Sequence, residues 1–160
     1  MTVNNRLLPP HGDAIESDNH LQATINGLKF GAEIVGGRYD GEDHPEKWTK
    51  RYSWGRGKRS EADSTHTLIF ITCDPGMING KEYDLSEPNI PVSIQFTHLF
   101  PPDGEDESAY LKPVSEGKIT LTHDFSRYLV TGRFSFNIIE EDGTQAAFQV
   151  VEGTLSVGPT

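Results

Sequence analysis

Apolar residues recur at every second position in most hydrophobic segments of this chain, which is the period of a β-strand with one buried face. Residues 21–25 and 28–34 alternate in this way on either side of Asn26-Gly27, a dipeptide that accepts the positive φ angles of a type I′ turn. The two segments therefore predict a β-hairpin. Further strands are predicted by the same alternation in residues 92–100, 117–124 and 128–139.

The last predicted strand, residues 144–158, changes its parity part-way along. Phe148 and Val150 are apolar at even positions, whereas Leu155 and Val157 are apolar at odd positions. A strand of period two keeps one buried face only if an extra residue is inserted, so a β-bulge is predicted near Glu152-Gly153. Asp142-Gly143, just before this strand, predicts a second hairpin turn.

Two segments depart from simple alternation. Residues 68–71 are all apolar, which is typical of a strand covered on both faces. Residues 36–65 are rich in glycine and charge, and they predict a long loop. Within this loop, Pro45 suits the first turn of a short helix that would place Trp48 and Tyr52 on one side.

These elements together define the predicted fold class. Seven or eight strands are separated by turn signals, and no segment of ten or more residues has a helical period. The 160 residues are enough for one domain with its own core, and the single Cys73 excludes an internal disulfide. We therefore expect a loose tail at 1–20 and one all-β domain at 21–160. The predicted architecture is an antiparallel β-sandwich, with a flattened β-barrel as the alternative.

Two segments resemble a known kind of domain. They are the opening ATINGLKFGA of residues 23–32 and the closing segment of residues 117–155, which contains GKITLTHD, VTGRFSFN and VVEGTL. Together they are similar to small uncharacterised β-sandwich domains of bacteria, which are often surface lipoproteins. The resemblance covers about fifty residues and implies the sandwich fold, but it implies no catalytic residues. This sequence shows no lipoprotein signal or lipidation cysteine of the kind such proteins carry, so a surface location is not expected.

Charge is distributed unevenly along the chain. The net charge is −10, but residues 47–59 hold six of the 14 basic residues and both tryptophans, without any acid. The rest of the chain therefore carries a net charge of −16. Arginine and aromatic side chains contribute most to interface energies, so this segment is the candidate contact region. Its candidate ligand-binding residues are Trp48, Tyr52 and Trp54 as stacking groups and Lys50, Arg51, Arg56 and Arg59 as charge contacts.

The segment favours a non-catalytic binding or interaction module whose partner is a protein, a glycan or an anionic ligand. One alternative is a carbohydrate-binding sandwich that uses the same aromatic residues. A second alternative is an enzyme with a sheet-lined pocket, in which His98 or His123 acts as acid and base. A purely structural role is also open, with the tryptophans anchoring the loop and the cations facing the acidic residues 103–107.

Other chemistry has little support in the sequence. The six histidines have no metal-ligand spacing, and neither a nucleophile elbow nor a phosphate-binding loop is present, so no catalytic residue, metal or cofactor is predicted. The acidic balance argues against nucleic acid and a membrane as partners. Leu7 and Leu8 are followed directly by two prolines, so the N-terminal residues lack the apolar segment of a signal peptide. A cytoplasmic location is therefore expected, with export left open. Self-association is a further hypothesis, through an exposed edge strand ending near Val157.

Overall fold

A computed structural model describes residues 19–41, 47–60, 63–99, 112–139 and 146–158. These residues form β-strands and one short 3₁₀ helix, Phe125–Arg127. The strands are β1 (His20–Ile25), β2 (Leu28–Gly31), β3 (Ile34–Gly41), β4 (Trp48–Ser60), β5 (Asp63–Cys73), β6 (Glu82–Asp84), β7 (Val92–Leu99), β8 (Lys112–Pro113), β9 (Gly117–Asp124), β10 (Leu129–Ile139) and β11 (Ala146–Val157).

The strands form two antiparallel sheets. The first sheet has the order β2-β1-β11-β10-β9-β6, and the second has the order β3-β4-β5-β7-β8. The sheets do not close on each other, so the predicted all-β antiparallel sandwich is confirmed and the alternative of a flattened barrel is wrong. Eleven strands are described instead of seven or eight, because β3, β4, β6 and β8 carry no clear apolar alternation.

One hydrophobic core lies between the two sheets. Phe96 of β7 and Phe136 of β10 are both almost fully buried, and their ring centroids are 5.8 Å apart at an interplanar angle of 69°. This edge-to-face contact joins the sheets directly. The inward residues are those that alternation predicts, among them Ile94, Ile119 and Leu121. Cys73 is also buried, as a small apolar side chain.

Two predictions of local backbone geometry are confirmed. Asn26 and Gly27 have φ angles of 50° and 84°, and Ile25 pairs with Leu28 across this two-residue turn. In β11, the register against β10 shifts between Gly153 and Val150, and Glu152 has a φ of 55°. The extra residue of this bulge produces the parity change that the sequence shows.

The predicted loop at 36–65 is wrong, since most of it belongs to β3, β4 and β5. Arg51 to Lys58 of β4 pair continuously with Cys73 to His66 of β5, and β3 pairs along the other side of β4. The inward positions of β4 include Ser53, Gly55 and Gly57, so the strand has no apolar alternation to detect. The helix suggested after Pro45 does not extend to Trp48, which begins β4; Pro45 itself lies outside the described residues.

The edge strand proposed near Val157 is also wrong. This residue ends β11, which lies between β1 and β10 inside the first sheet. The position of β11 within the sheet is set by long-range pairing with β1 and β10, which no local sequence pattern predicts. The strands at the sheet edges are β2, β6, β3 and β8, so self-association through an edge stays a prediction for those.

Three other predicted features involve residues that the structure does not describe. Most of the tail at 1–20, the acidic residues 103–107 and the turn at Asp142-Gly143 lie outside the described ranges. His20 is described, and it already belongs to β1. Within the described ranges, no helix has the length and apolar character needed to cross a membrane.

Candidate binding surface

Strand geometry divides the basic-aromatic segment between two environments. Successive side chains of β4 point to opposite faces of the sheet. Lys50, Tyr52, Trp54 and Arg56 lie on the outer face, whereas Arg51 lies on the inner face and is buried. The side chain of Arg59 lies outside the described residues. The seven candidate contacts are therefore not one continuous surface.

The outer face of β3, β4 and β5 carries a row of aromatic rings, which we call the outer aromatic face. Trp54 lies opposite Phe70 of β5, with ring centroids 6.1 Å apart and an interplanar angle of 16°. Tyr52 contacts the same Phe70 ring at 5.3 Å. Each ring is only partly buried, so the row remains accessible to solvent.

Gly36 of β3 determines where the Trp54 indole lies. The two residues are directly opposite across the ladder. A Cβ atom at Gly36 would lie 2.5 Å from Cζ2 and 2.7 Å from Cε2 of the indole. The indole edge therefore occupies the place that any larger side chain at Gly36 would need. The sequence signal for this arrangement is the glycine pair at 36–37, which lies in the segment predicted to be a loop.

Cations and aliphatic side chains surround the rings. The Arg38 guanidinium lies 5.4 Å from the centroid of the Tyr52 ring, and Arg56 lies opposite Ile34. An open depression of about 400 Å³ lies between Arg38 and Arg56. It is lined by Ile34, Arg38, Trp54, Arg56, Leu68 and Phe70.

Leu68 and Phe70 were not among the predicted contacts. The apolar run at 68–71 predicted a strand covered on both faces, and this is wrong. Ile69 and Ile71 are buried in the core, but Leu68 and Phe70 face outward and are partly exposed. These two outward side chains supply the apolar floor of the depression.

Lys50 is at the opposite end of the outer aromatic face from Arg56. Its Nζ donates a hydrogen bond to Asp74 Oδ1 at 2.7 Å. This hydrogen bond and the carboxylate charge raise the pKa of Lys50. Lys50 is therefore already paired, whereas no carboxylate among the described residues forms an ion pair with Arg38 or Arg56.

Trp48 lies inside the sandwich, so its burial contradicts a role as a surface stacking group. The register between β3 and β4 shifts by one residue at Gly41, which turns Trp48 inward. Its ring centroid lies 5.5 Å from Tyr39, 5.0 Å from His123 and 6.4 Å from Phe125. Trp48 thus anchors the second sheet to the end of β9. The structural alternative expected tryptophans that anchor a loop, whereas Trp48 begins strand β4.

Arg51 is equally unsuited to surface contact, because only 1% of it is exposed. Its Nη2 donates to the carbonyl oxygens of Val157 and Gly158 at 2.9 and 3.3 Å. The guanidinium also lies 4.7 Å from the centroid of the Tyr39 ring. A Cβ atom at Gly37 would lie 2.6 Å from this same Nη2, so Gly37 leaves the room that the guanidinium needs. Arg51 therefore joins the end of β11 to the second sheet.

His123 takes part in the same inner cluster. Its Nε2 lies 2.7 Å from Tyr39 Oη. Burial and the nearby Arg51 charge lower the pKa of His123 to about 4, and burial raises the pKa of Tyr39 to about 12. At neutral pH the imidazole is therefore neutral and the phenol is protonated. The pair of His123 and Tyr39 is therefore suited to a structural hydrogen bond. The other candidate acid-base residue is His98, whose side chain lies outside the described residues.

Metal and thiol chemistry have no visible site in the described part of the chain. Within it, no three side chains of the His, Cys, Asp and Glu types lie close enough together to hold a metal ion. Cys73 is buried, and its burial raises the pKa of the thiol to about 11. A thiol of this kind is a poor nucleophile at neutral pH.

No family model, curated protein or solved structure matches this chain. The resemblance of residues 23–32 and 117–155 to small uncharacterised β-sandwich domains of bacteria therefore stays a prediction. The functional interpretation rests on the geometry of the outer aromatic face.

Proposed function

We propose that the protein is a non-catalytic binding module whose contact surface is the outer aromatic face. The observation that carries this proposal is the grouping of Tyr52, Trp54 and Phe70 with Arg38 and Arg56, which form no ion pair with a carboxylate of the described residues, on one solvent-facing surface. Tryptophan, tyrosine and arginine are the residue types that dominate binding energies at interfaces. Their grouping has no role in the core, because these side chains point away from it.

The contrast between the two outer faces of the sandwich supports the proposal. The outer face of the first sheet is mainly polar; its outward residues include Gln22, Thr122, Thr131, Arg133, Thr154 and Ser156. Exposed apolar side chains of this sheet are Ile139 at the end of β10 and Leu28 beside the first hairpin turn, which are 38% and 53% exposed. Such a face needs no partner to be soluble. The outer face of the second sheet groups the partly exposed rings of Tyr52, Trp54 and Phe70 with Ile34, which is 61% exposed. An apolar patch rimmed by charge marks an interaction site more often than it marks plain surface.

The test is an unbiased selection against the immobilised full chain. The ligands are a glycan array, a random oligonucleotide pool and a phage-displayed library of random peptides. We expect at least one class to be enriched on the wild type, and its binding to weaken about 30-fold or more in Trp54→Ala, which corresponds to about 2 kcal/mol.

The matched control is Arg133→Glu on the outer face of the first sheet, compared with Arg56→Glu on the outer aromatic face. Both variants reverse the charge of an exposed arginine. Only Arg56→Glu is expected to reduce binding. The proposal fails if no class is enriched, or if every enriched ligand binds Trp54→Ala as tightly as it binds the wild type.

A further inference from the structure

We infer that the occupant of the outer aromatic face is a short acidic segment of another protein, bound in an extended conformation. Its carboxylates pair with Arg38 and Arg56, and an apolar side chain between them enters the depression. This inference rests on the proposed function and names its ligand class.

Among the described residues, the lining of the depression offers hydrogen-bond donors and no side-chain acceptor. Arg38, Arg56 and the Trp54 indole donate, and the other three lining residues are apolar. A sugar hydroxyl both donates and accepts, so a glycan would leave its donors without side-chain partners here. Carboxylates accept only, and they pair with guanidinium groups in a bidentate geometry. The chemistry of the lining therefore selects an anionic ligand with an apolar part.

The spacing of the cations fits an extended polypeptide. Arg56 lies opposite Ile34, four residues before Arg38 on β3, so the two cations are anchored about 13 Å apart along the strand. In an extended segment, residues i and i+4 share one face over the same distance, and residue i+2 lies between them. An acidic, an apolar and a second acidic side chain at these positions match Arg38, the depression and Arg56.

The charge of the rest of the chain favours a short segment over a long polyanion. Outside residues 47–59 the net charge is −16. At physiological ionic strength charges act over about 8 Å, so a short acidic segment senses Arg38, Arg56 and the nearby carboxylate of Asp40, which accepts a hydrogen bond from Tyr52, but few of the more distant acidic residues. A nucleic acid or a sulfated polysaccharide carries its charge over a greater length than Arg38 and Arg56 span, so most of its anionic groups would not meet these two cations. The charge of an acidic ligand is therefore complementary to this protein only near Arg38 and Arg56.

The test uses two labelled synthetic peptides and the full chain, with binding followed by fluorescence anisotropy. One peptide has Glu-Ser-Phe-Ser-Glu at its centre, and the other has Lys-Ser-Phe-Ser-Lys. We expect the wild type to prefer the acidic peptide by about 10-fold or more, and the preference to weaken as salt is added. The double variant Arg38→Glu/Arg56→Glu is expected to prefer the basic peptide.

The controls are Arg133→Glu, which should keep the wild-type preference, and thermal melts showing that each variant is folded. Saturable binding of the acidic peptide that reverses with the double variant supports the inference. The inference is overturned if the acidic peptide does not bind below about 1 mM, or if the preference is the same in the double variant.

Two further probes separate this inference from the proposed function: an oligothymidylate of about 12 nucleotides and cellohexaose. If either binds in a manner that Trp54→Ala abolishes while the acidic peptide does not bind, the ligand class is wrong and the binding surface stands. If none of the probes binds in a Trp54-dependent manner and the selection enriches no ligand, both proposals fail.

Discussion

At the scale of single residues, neighbouring positions of β4 have opposite environments despite similar chemistry. Arg51 is buried and donates to backbone carbonyls of residues 157 and 158, whereas Arg56 is exposed beside the depression. Both arginines add one positive charge to the segment, so the charge alone does not distinguish them. Because they lie on opposite faces of β4, their substitutions should have different consequences.

Substituting Arg51→Ala is expected to destabilise the protein by about 2–4 kcal/mol. The change removes the donor for two carbonyl oxygens and leaves a cavity beside Tyr39. Arg56→Ala should change the free energy of unfolding by no more than about 0.5 kcal/mol, because the side chain is exposed. Urea denaturation measures both. Equal costs for the two variants would contradict the placement of Arg51 inside the sandwich.

The His123–Tyr39 pair predicts an acid-dependent loss of stability. The pKa of His123 is about 4 in the folded protein and 6.5 as the unperturbed value. The unfolded state therefore binds the proton first as the pH falls from 6.5 to 4. The stability contributed by the neutral imidazole is complete above pH 6.5 and is lost through this window.

We expect this loss to be about 1–2 kcal/mol, because the half-buried imidazole is partly screened by solvent. Urea denaturation at several pH values, compared between the wild type and His123→Asn, isolates the histidine from the carboxylates. Arg51 and Asp124 act on the same imidazole in opposite directions and are present in both proteins. Identical pH profiles for the two proteins would show that His123 is not the cause.

At the scale of elements, a glycine in β3 positions an aromatic side chain of β4. Gly36→Val places a branched side chain where the Trp54 indole edge now lies, and the indole must move. We expect an increase in acrylamide quenching of tryptophan fluorescence and about 10-fold weaker binding of the ligand selected above. Stability should change little, because valine suits a strand better than glycine does.

The matched control is Gly31→Val in β2. A Cβ atom at Gly31 meets no atom within 4 Å, so the same substitution has room there. Both variants gain the same side chain in a strand. If quenching and binding change equally in the two variants, the contact between Gly36 and Trp54 does not position the indole.

The elements that the sequence predicts are those whose signals are local. Asn26-Gly27 fixes its hairpin through the φ angles that the turn requires, and the bulge near Glu152 follows from parity within one strand. Strand β4 is not predicted because its inward positions hold glycine, serine and a buried arginine in place of aliphatic residues, and β3 is not predicted because Gly36 and Gly37 interrupt its pattern. Their pairing is decided by long-range contacts.

The candidate site was predicted in part for the same reason. Tyr52, Trp54 and Arg56 were selected by residue type, and the structure places them on one face. Phe70 was not predicted, because a continuous apolar run does not show whether a strand is covered on one face or on both faces. Only the register, which sets Phe70 opposite Trp54, shows that the two rings form one surface.

At the scale of the whole molecule, both sheets depend on one core, while only one of them carries the outer aromatic face. Phe96 contacts Phe136 across the two layers, and Phe148 of β11 packs on Phe96 with ring centroids 4.9 Å apart. A domain built in this way should unfold as one cooperative unit. The outer aromatic face should be open to substitution without loss of the fold, because its side chains do not enter the shared core.

Phe96→Ala tests this organisation. The side chain is 1% exposed, so its removal should cost about 3–5 kcal/mol and lower Tm by roughly 10 °C. Phe70→Ala, which deletes the same ring from the outer aromatic face, should cost about 1 kcal/mol. Far-ultraviolet dichroism and tryptophan fluorescence should give one midpoint in each variant, because loss of the shared core unfolds both sheets together. Two separate midpoints in Phe96→Ala would mean that each sheet holds its structure without the other.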